Sequence, residues 1–472
     1  MLASRSYSPQ IEQIFSLALQ QYKNNNFPET EALLNEILSQ NSNCLEALKL
    51  RAMLAHRNNH LEQAILDYKR VIDLIPDEVD SYNKLGTIYQ QIGQFEASSH
   101  YLQKALALMP QSFKTSQLLA CCLSKQGKLD KAIALFDRLL AIEPSNIAIR
   151  WNRGLALLKK GDFPEGLSGF ELRKHFPQFS YFLETPQPLW DGSSVRGKTI
   201  LLHHGDDGFG DAIQYIRYAS LLAERGGRVI FAGKKPLLQL FSGVAGIAQR
   251  VELESPLPAF DVYAPLSSLP HYLGTTLETI PAQVPYLHRP TSIKEDGWDL
   301  PSLPQPASET RLKIGIVCWE SDREILAPAN RYIDCPLSLF VSLLSVPDIS
   351  LYSLQWGKWR VKMDEFKHGS RLYDLSAQIP DVTALAALIA QLDLVIGVDS
   401  TAAHLAGAMG KPVWTLLEFD ADCRWLLNRS DSPWYPTMRL FRQCQQGDWQ
   451  SVFAQVMPAL KQHLAGDNLS VP

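Results

Sequence analysis

The chain has 472 residues, 46% of them hydrophobic and 20% charged, with a formal charge of −4 and a pI near 6.3. That length allows two or three domains with substantial cores, and that composition excludes a largely disordered chain. The mild negative charge gives no general attraction to nucleic acid or anionic lipid, so neither is expected as a partner.

The seven cysteines, at 44, 121, 122, 318, 335, 423 and 444, form no CxxC pair and no metal-ligand spacing. An odd, unpatterned set fits buried thiols in a reducing compartment better than a disulfide framework. The opening MLASRSYSPQIEQIF lacks a long apolar core. No window approaches the roughly 18 to 20 apolar residues that a membrane span needs. The expectation is a cytoplasmic protein without an integral membrane segment.

From the N-terminus the clearest regularity is a period of 34. Pro76, Pro110 and Pro144 each end an amphipathic segment, and Ala52, Gly86, Ala120 and Gly154 recur at the same spacing. Such a period means stacked helix pairs, here five units starting near 11, 45, 79, 113 and 147. Small residues at Ala64, Ser98 and Ala132 mark helix crossings, each followed four positions later by a large one, Tyr68, Leu102 and Phe136. Gly93, Gly127 and Gly161 fall between paired helices, where a helix C-terminus favours left-handed backbone. Stacked repeats present a concave groove suited to an extended protein segment. The same array could also serve as a rigid spacer or a dimerisation surface.

The period dissolves after Arg173 into HFPQFSYFLETPQPLWDGSSVRGK, whose prolines and aromatics read as a packed connector. This places the repeat array in 1–180 and the connector in 181–196. TILLHH then reads as a buried strand, DAIQYIRYASLLAERG as a helix ended by glycine, and RVIFAG as the next strand. A second alternating block opens at RLKIGIVCW and continues through LYSLQW, LDLVIGV and PVWTLL. Two such blocks predict two doubly wound α/β lobes, 197–305 and 306–472, facing a cleft.

Open parallel sheets bind ligands beyond the carboxyl ends of their strands. The first such junction is GDDGFGDAIQY, where Gly205, Gly208 and Gly210 allow close backbone approach and Asp211 stands at a helix start. That aspartate could accept a proton, or could simply cap the helix for about 0.5 to 2 kcal/mol. The second junction is LDLVIGVDSTAAHLAGAMG. Asp399, Ser400 and Thr401 precede a helix whose N-terminal amides favour a diphosphate, and His404 can add a donor. Ser400 or Thr401 could instead be a cap, and His404 a packing residue. Gln355, after LYSL, either approaches a nucleotide from a strand end or sits in a plain turn. His203-His204 has no partner at metal spacing, so no metal site is expected. Trp425, Trp434 and Tyr435 are expected to pack the second lobe against its C-terminal helix.

LGTIYQQIGQFEASSHYLQKALALMP resembles the tetratricopeptide repeat. LLHHGDDGFGDAIQYIRYASLLAERG, DLVIGVDSTAAHLAGAMGKPVW and RSDSPWYPTMRLFRQ resemble glycosyltransferases related to bacterial heptosyltransferases. The resemblance implies an α-helical repeat solenoid followed by a GT-B fold of two Rossmann-like lobes. It implies an inverting, metal-independent transfer from a nucleotide-sugar donor, with no cofactor. It gives Asp211 the role of general base, with Gly208, Gly210 and Gln214 on the acceptor-side loop. The donor would meet Asp399, Ser400, Thr401 and His404, together with Gln355, Trp319 and Arg331. The implied partners are the nucleotide-sugar and a peptide or protein held by the repeats.

Two departures stand out. Asp206-Asp207-Gly208 replaces the family's Glu-Gln-Gly, and CWESDREILAPANRYI lacks the Trp-x-Gly-Asn loop, bringing in acidic Glu320 and Asp322. They keep open a different class of function, a non-catalytic scaffold with a degenerate glycosyltransferase domain.

Overall fold

The computed structural model describes residues 8–179, 183–204, 208–290, 300–306, 310–319, 335–356 and 371–466. Asp206, Asp207, Glu320, Asp322 and Arg331 lie outside them. By packing, the chain divides into Met1–Arg153 and Gly154–Pro472.

The helices come in consecutive pairs. They are α1 Pro9–Lys23 and α2 Phe27–Gln40, α3 Leu45–Arg57 and α4 Leu61–Leu74, α5 Val79–Gln91 and α6 Phe95–Leu108, α7 Phe113–Lys125 and α8 Leu129–Ile142, then α9 Ile147–Lys160 and α10 Phe163–Phe170. The 34-residue register thus falls on Leu45, Val79, Phe113 and Ile147, with the first unit starting slightly early at Pro9. In the first unit of the chain the pairs stack as a helical solenoid. Ala64, Ser98 and Ala132 are fully buried at the crossings, and Ser98 Oγ donates to the Gly86 carbonyl at 2.7 Å. Residue 86 has to be small, because a β-carbon there would stand 2.5 Å from Leu102 Cγ.

The turns show why glycine recurs. Gly93, Gly127 and Gly161 have φ of 76°, 72° and 97°, and Asn25 and Asn59 occupy the same repeat position at 59° and 62°. Asparagine is among the few other residues that enter the left-handed region readily. The sequence reading saw only the glycines.

The second unit holds two parallel sheets. In the first, β1 Thr199–His203, β2 Arg228–Gly233, β3 Ile247–Glu252 and β4 Val262–Pro265 lie in the order β3-β2-β1-β4. Helices α11 Phe209–Tyr215, α12 Tyr218–Glu224, α13 Lys235–Leu240 and α14 Leu269–Tyr272 accompany them. The run expected as one helix is therefore two, parted at Ile216–Arg217. Arg217 turns its buried side chain back to the Gln214 carbonyl there.

The second sheet comprises β5 Leu312–Val317, β6 Ile349–Ser353, β7 Leu372–Asp374, β8 Leu394–Val398, β9 Val413–Leu417 and β10 Met438–Arg442, in the order β10-β9-β8-β5-β6-β7. Its helices are α15 Leu337–Ser342, α16 Val382–Ile389, α17 Thr401–Ala408 and α18 Trp449–Ala465. Strands such as β8 and β9 are buried at every residue, as a sheet covered on both faces requires. In both sheets the strand order reverses, at β1/β4 and at β5/β8. These reversals open the crevices where α/β sheets take ligands. The two lobes together form the GT-B type of architecture.

No helix among the described residues is long and apolar enough to cross a membrane.

Candidate functional site

The two junctions singled out in the sequence meet. Gly210 lies on α11 in the first lobe and His404 on α17 in the second, and a β-carbon on Gly210 would stand 2.9 Å from His404 Cδ2. The glycine serves close approach, but of the partner lobe's imidazole. Gly208 has open space around its Cα and stands as the N-cap of α11. Asp211 therefore sits inside the helix and caps nothing, which corrects the reading of it as an N-cap.

Asp211 instead forms an ion pair across the lobes, accepting from Arg424 Nη2 at 2.6 Å through Oδ1. The same guanidinium donates through Nη1 to Gln214 Oε1 at 2.6 Å, and through Nε to Asp422 Oδ1 at 3.0 Å. Its Nη1 also lies 3.4 Å from His404 Nε2. Asp422 accepts from the Arg424 backbone amide as well, so the turn after β9 holds its own arginine in place. Burial works against the Arg424 charge, but Asp211 and then Asp422 outweigh it and hold the group protonated.

His404 is almost wholly enclosed. Its Nδ1 is 2.8 Å from Tyr435 Oη, its Nε2 is 3.6 Å from Asp399 Oδ1, and its ring lies against Trp425. Burial lowers its pKa, and the Asp399 hydrogen bond only partly offsets this. The ring is therefore neutral near pH 7 and carries one N–H. Ser400 is the N-cap of α17, its Oγ accepting from the Ala403 amide at 3.3 Å. The capping reading thus holds for Ser400, whose hydroxyl proton is still available for a ligand. Asp399 and Thr401 are buried beside it, just past the end of β8.

Trp319 follows β5, next to β8 at the reversal of the second sheet. Gln355 spends its amide on this segment. Its Oε1 accepts from the Cys318 and Trp319 amides at 2.8 and 3.3 Å, and its Nε2 donates to the Trp319 carbonyl at 2.8 Å. The sequence reading set this side chain against a nucleotide or in a plain turn, whereas the structure sets it against the backbone of Cys318 and Trp319. Arg331 lies outside the described residues.

The aromatic residues also fall elsewhere than expected. Trp434 packs on Phe163 and Tyr215, and Tyr435 on His404, all at the junction between lobes. Ring contacts to α18 come instead from Phe340 and Trp414. Arg217, buried in the first lobe, fastens this junction by donating to the Trp434 carbonyl at 2.6 Å and to Tyr286 Oη at 2.7 Å. Among the described residues no group of three or more His, Cys, Asp and Glu is placed to hold a metal ion.

Comparison with known proteins follows this division. Residues 15–79, 79–112 and 123–161 match tetratricopeptide-repeat models, and residues 363–421 match the model of glycosyltransferase family 9 (heptosyltransferase). The chain thus carries tetratricopeptide repeats followed by a domain similar to the heptosyltransferases. The family 9 match takes in Asp399 to His404 and stops three residues short of Arg424. It supports glycosyl transfer as the general chemistry.

The protein FlbA of Caulobacter vibrioides is 26% identical over 443 residues, covering 86% of this chain and 71% of FlbA. DnaJ homolog subfamily C member 3 of Gallus gallus is 25% identical over 149 residues, 29% of this chain and 30% of that protein. The crystal structure of MamA aligns with a TM-score of 0.33 at 20% identity, over 38% of this chain and all of MamA. YrrB, a tetratricopeptide-repeat protein with an unusual peptide-binding site, aligns with a TM-score of 0.32 at 18% identity, over 37% of this chain and 94% of its own.

Arg424, Asp422, Tyr435 and Arg217 are the site residues that sequence reasoning missed. The signal was an arginine two positions after an aspartate at a strand end. Nothing local tells that it reaches a carboxylate 213 positions earlier.

Proposed function

We propose that the chain is a metal-independent, inverting glycosyltransferase that moves a sugar from a nucleotide-sugar to a hydroxyl acceptor. The observation that carries this reading is the contact of Gly210 with His404, which sets Asp211 and the Ser400 turn on the two sides of one cluster. An acceptor hydroxyl must lose its proton as it attacks the anomeric carbon, and Asp211 is the carboxylate in position to take it. The departing diphosphate gains negative charge, which the α17 N-terminal amides and the Ser400 and Thr401 hydroxyls can offset. Asp399 orients His404, and Gln355 fixes the backbone of Cys318 and Trp319 at the end of β5.

The repeats would hold an extended segment of a protein acceptor in their groove, and so raise its concentration at the cleft. The active protein would reside in the cytoplasm, where nucleotide-sugars are at hand, and would need no cofactor.

Thermal unfolding with a panel of nucleotide-sugars tests the reading. A working site gains RT ln(1 + [L]/Kd), about 2.7 kcal/mol at a hundredfold excess over Kd. A scaffold with a degenerate site gains nothing from any donor, and that result would end the enzymatic reading.

A further inference from the structure

Arg424 has the geometry of an organising group. Its Nε, Nη1 and Nη2 are all engaged, on Asp422, Gln214 and Asp211. Its side chain is only 11% exposed. The two residues it grips on α11 are three apart and so share one helix face. Each is gripped at one end only. Asp211 gives up Oδ1 and has no partner for Oδ2 among the described residues. Gln214 accepts through Oε1, while its fully buried Nε2 has no partner among them. A buried amide N–H₂ without an acceptor is costly to leave unsatisfied. That cost is removed when a ligand oxygen arrives.

We propose that Arg424 is a positioning residue for the transfer reaction: it holds Asp211 and Gln214 so that Oδ2 and Nε2 together take the acceptor hydroxyl. This rests on the glycosyltransferase reading above. In the step itself the hydroxyl proton passes to Asp211 Oδ2 while Gln214 Nε2 donates to the same oxygen. The oxygen forms its bond to the anomeric carbon, the bond to the diphosphate breaks, and its electron pair leaves with the diphosphate. Because Arg424 comes from the second lobe and grips the first, the acceptor pair is complete only when the lobes are together. The same guanidinium lies 3.4 Å from His404 Nε2, a neutral ring, so its charge is spent on Asp211 and Asp422.

The test uses the full chain, with Arg424→Ala and Arg424→Lys, and a donor that stabilises the wild-type protein. Loss of one preorganised electrostatic group predicts a fall in kcat of about 100-fold or more in Arg424→Ala. Lysine keeps the charge but not the fork, so it recovers only a minor part. Guanidinium ion at millimolar concentration should raise the turnover of Arg424→Ala and leave the wild type unchanged, an effect that loss of a mere packing residue would not give. Donor affinity should change by less than about 3-fold, because the positioning acts on the acceptor step. A wild-type kcat in either variant overturns the assignment, and so does a loss in Arg424→Ala that guanidinium leaves untouched. If Arg424→Ala does not fold, Arg424→Lys decides: full turnover overturns the assignment, and a large kcat loss at unchanged donor affinity supports it. A wild-type protein that binds no nucleotide-sugar overturns the parent reading, a result distinct from all of these.

Discussion

Gly210 and His404 belong to different lobes, yet a single added methyl group would bring them into collision. The imidazole cannot swing aside, because Tyr435 holds Nδ1 and Trp425 backs the ring. Gly210→Ala should therefore cost about 1–3 kcal/mol through overpacking. Denaturant unfolding measures that cost, and the same variant should lose the stabilisation that a donor gives the wild type. An alanine variant as stable as wild type would show that the lobes part easily.

Lys159 and Asp420 form an ion pair at 2.6 Å with both side chains below a tenth exposed. It ties the end of α9 to the turn that carries Arg424. Removing one partner of such a pair leaves a buried charge, so Lys159→Met should destabilise Gly154–Pro472 by about 3 kcal/mol. Lys159→Met with Asp420→Asn should recover much of that loss. A double-mutant cycle by chemical unfolding reads the coupling, and additive losses would make the pair incidental.

In the repeats, Gly86→Ala places a methyl 2.5 Å from Leu102 Cγ and should cost about 1–3 kcal/mol. Combining it with Leu102→Ala should cost less than the sum of the two single changes, since the shorter side chain makes room. Circular dichroism during unfolding reports the result.

His203 is fully buried beside Tyr263, with neither ring nitrogen hydrogen-bonded among the described residues. Burial first, then the neighbouring His204 and Arg173, lowers its pKa to about 3. The unfolded chain has a pKa near 6.5 and takes up the proton first. Stability from this residue is thus complete above about pH 6.5 and declines as pH falls toward 3. Between pH 7 and pH 5 the loss is about 2 kcal/mol. His203→Leu should flatten that part of the profile, and an unchanged slope would place the titrating group elsewhere.

The sequence by itself determined the periodic parts. A 34-residue spacing of small, large and turn residues can be met only by stacked helix pairs, because each position in the repeat has a local steric job. Runs such as LVIGV and VWTLL likewise announced strands buried on both faces. Asp399, Ser400 and the start of α17 were legible because a strand end and a helix cap are neighbours in sequence.

What only the tertiary structure decided lies across the lobe junction. That Gly210 makes room for His404, that Asp211 answers Arg424, and that Trp434 packs on Tyr215 of α11 rather than on α18 are pairings between distant segments. No period or cap encodes them. Their partners are set by how α11 of the first lobe packs on α17 of the second, and a charged side chain carries no local sign of which lobe will neutralise it.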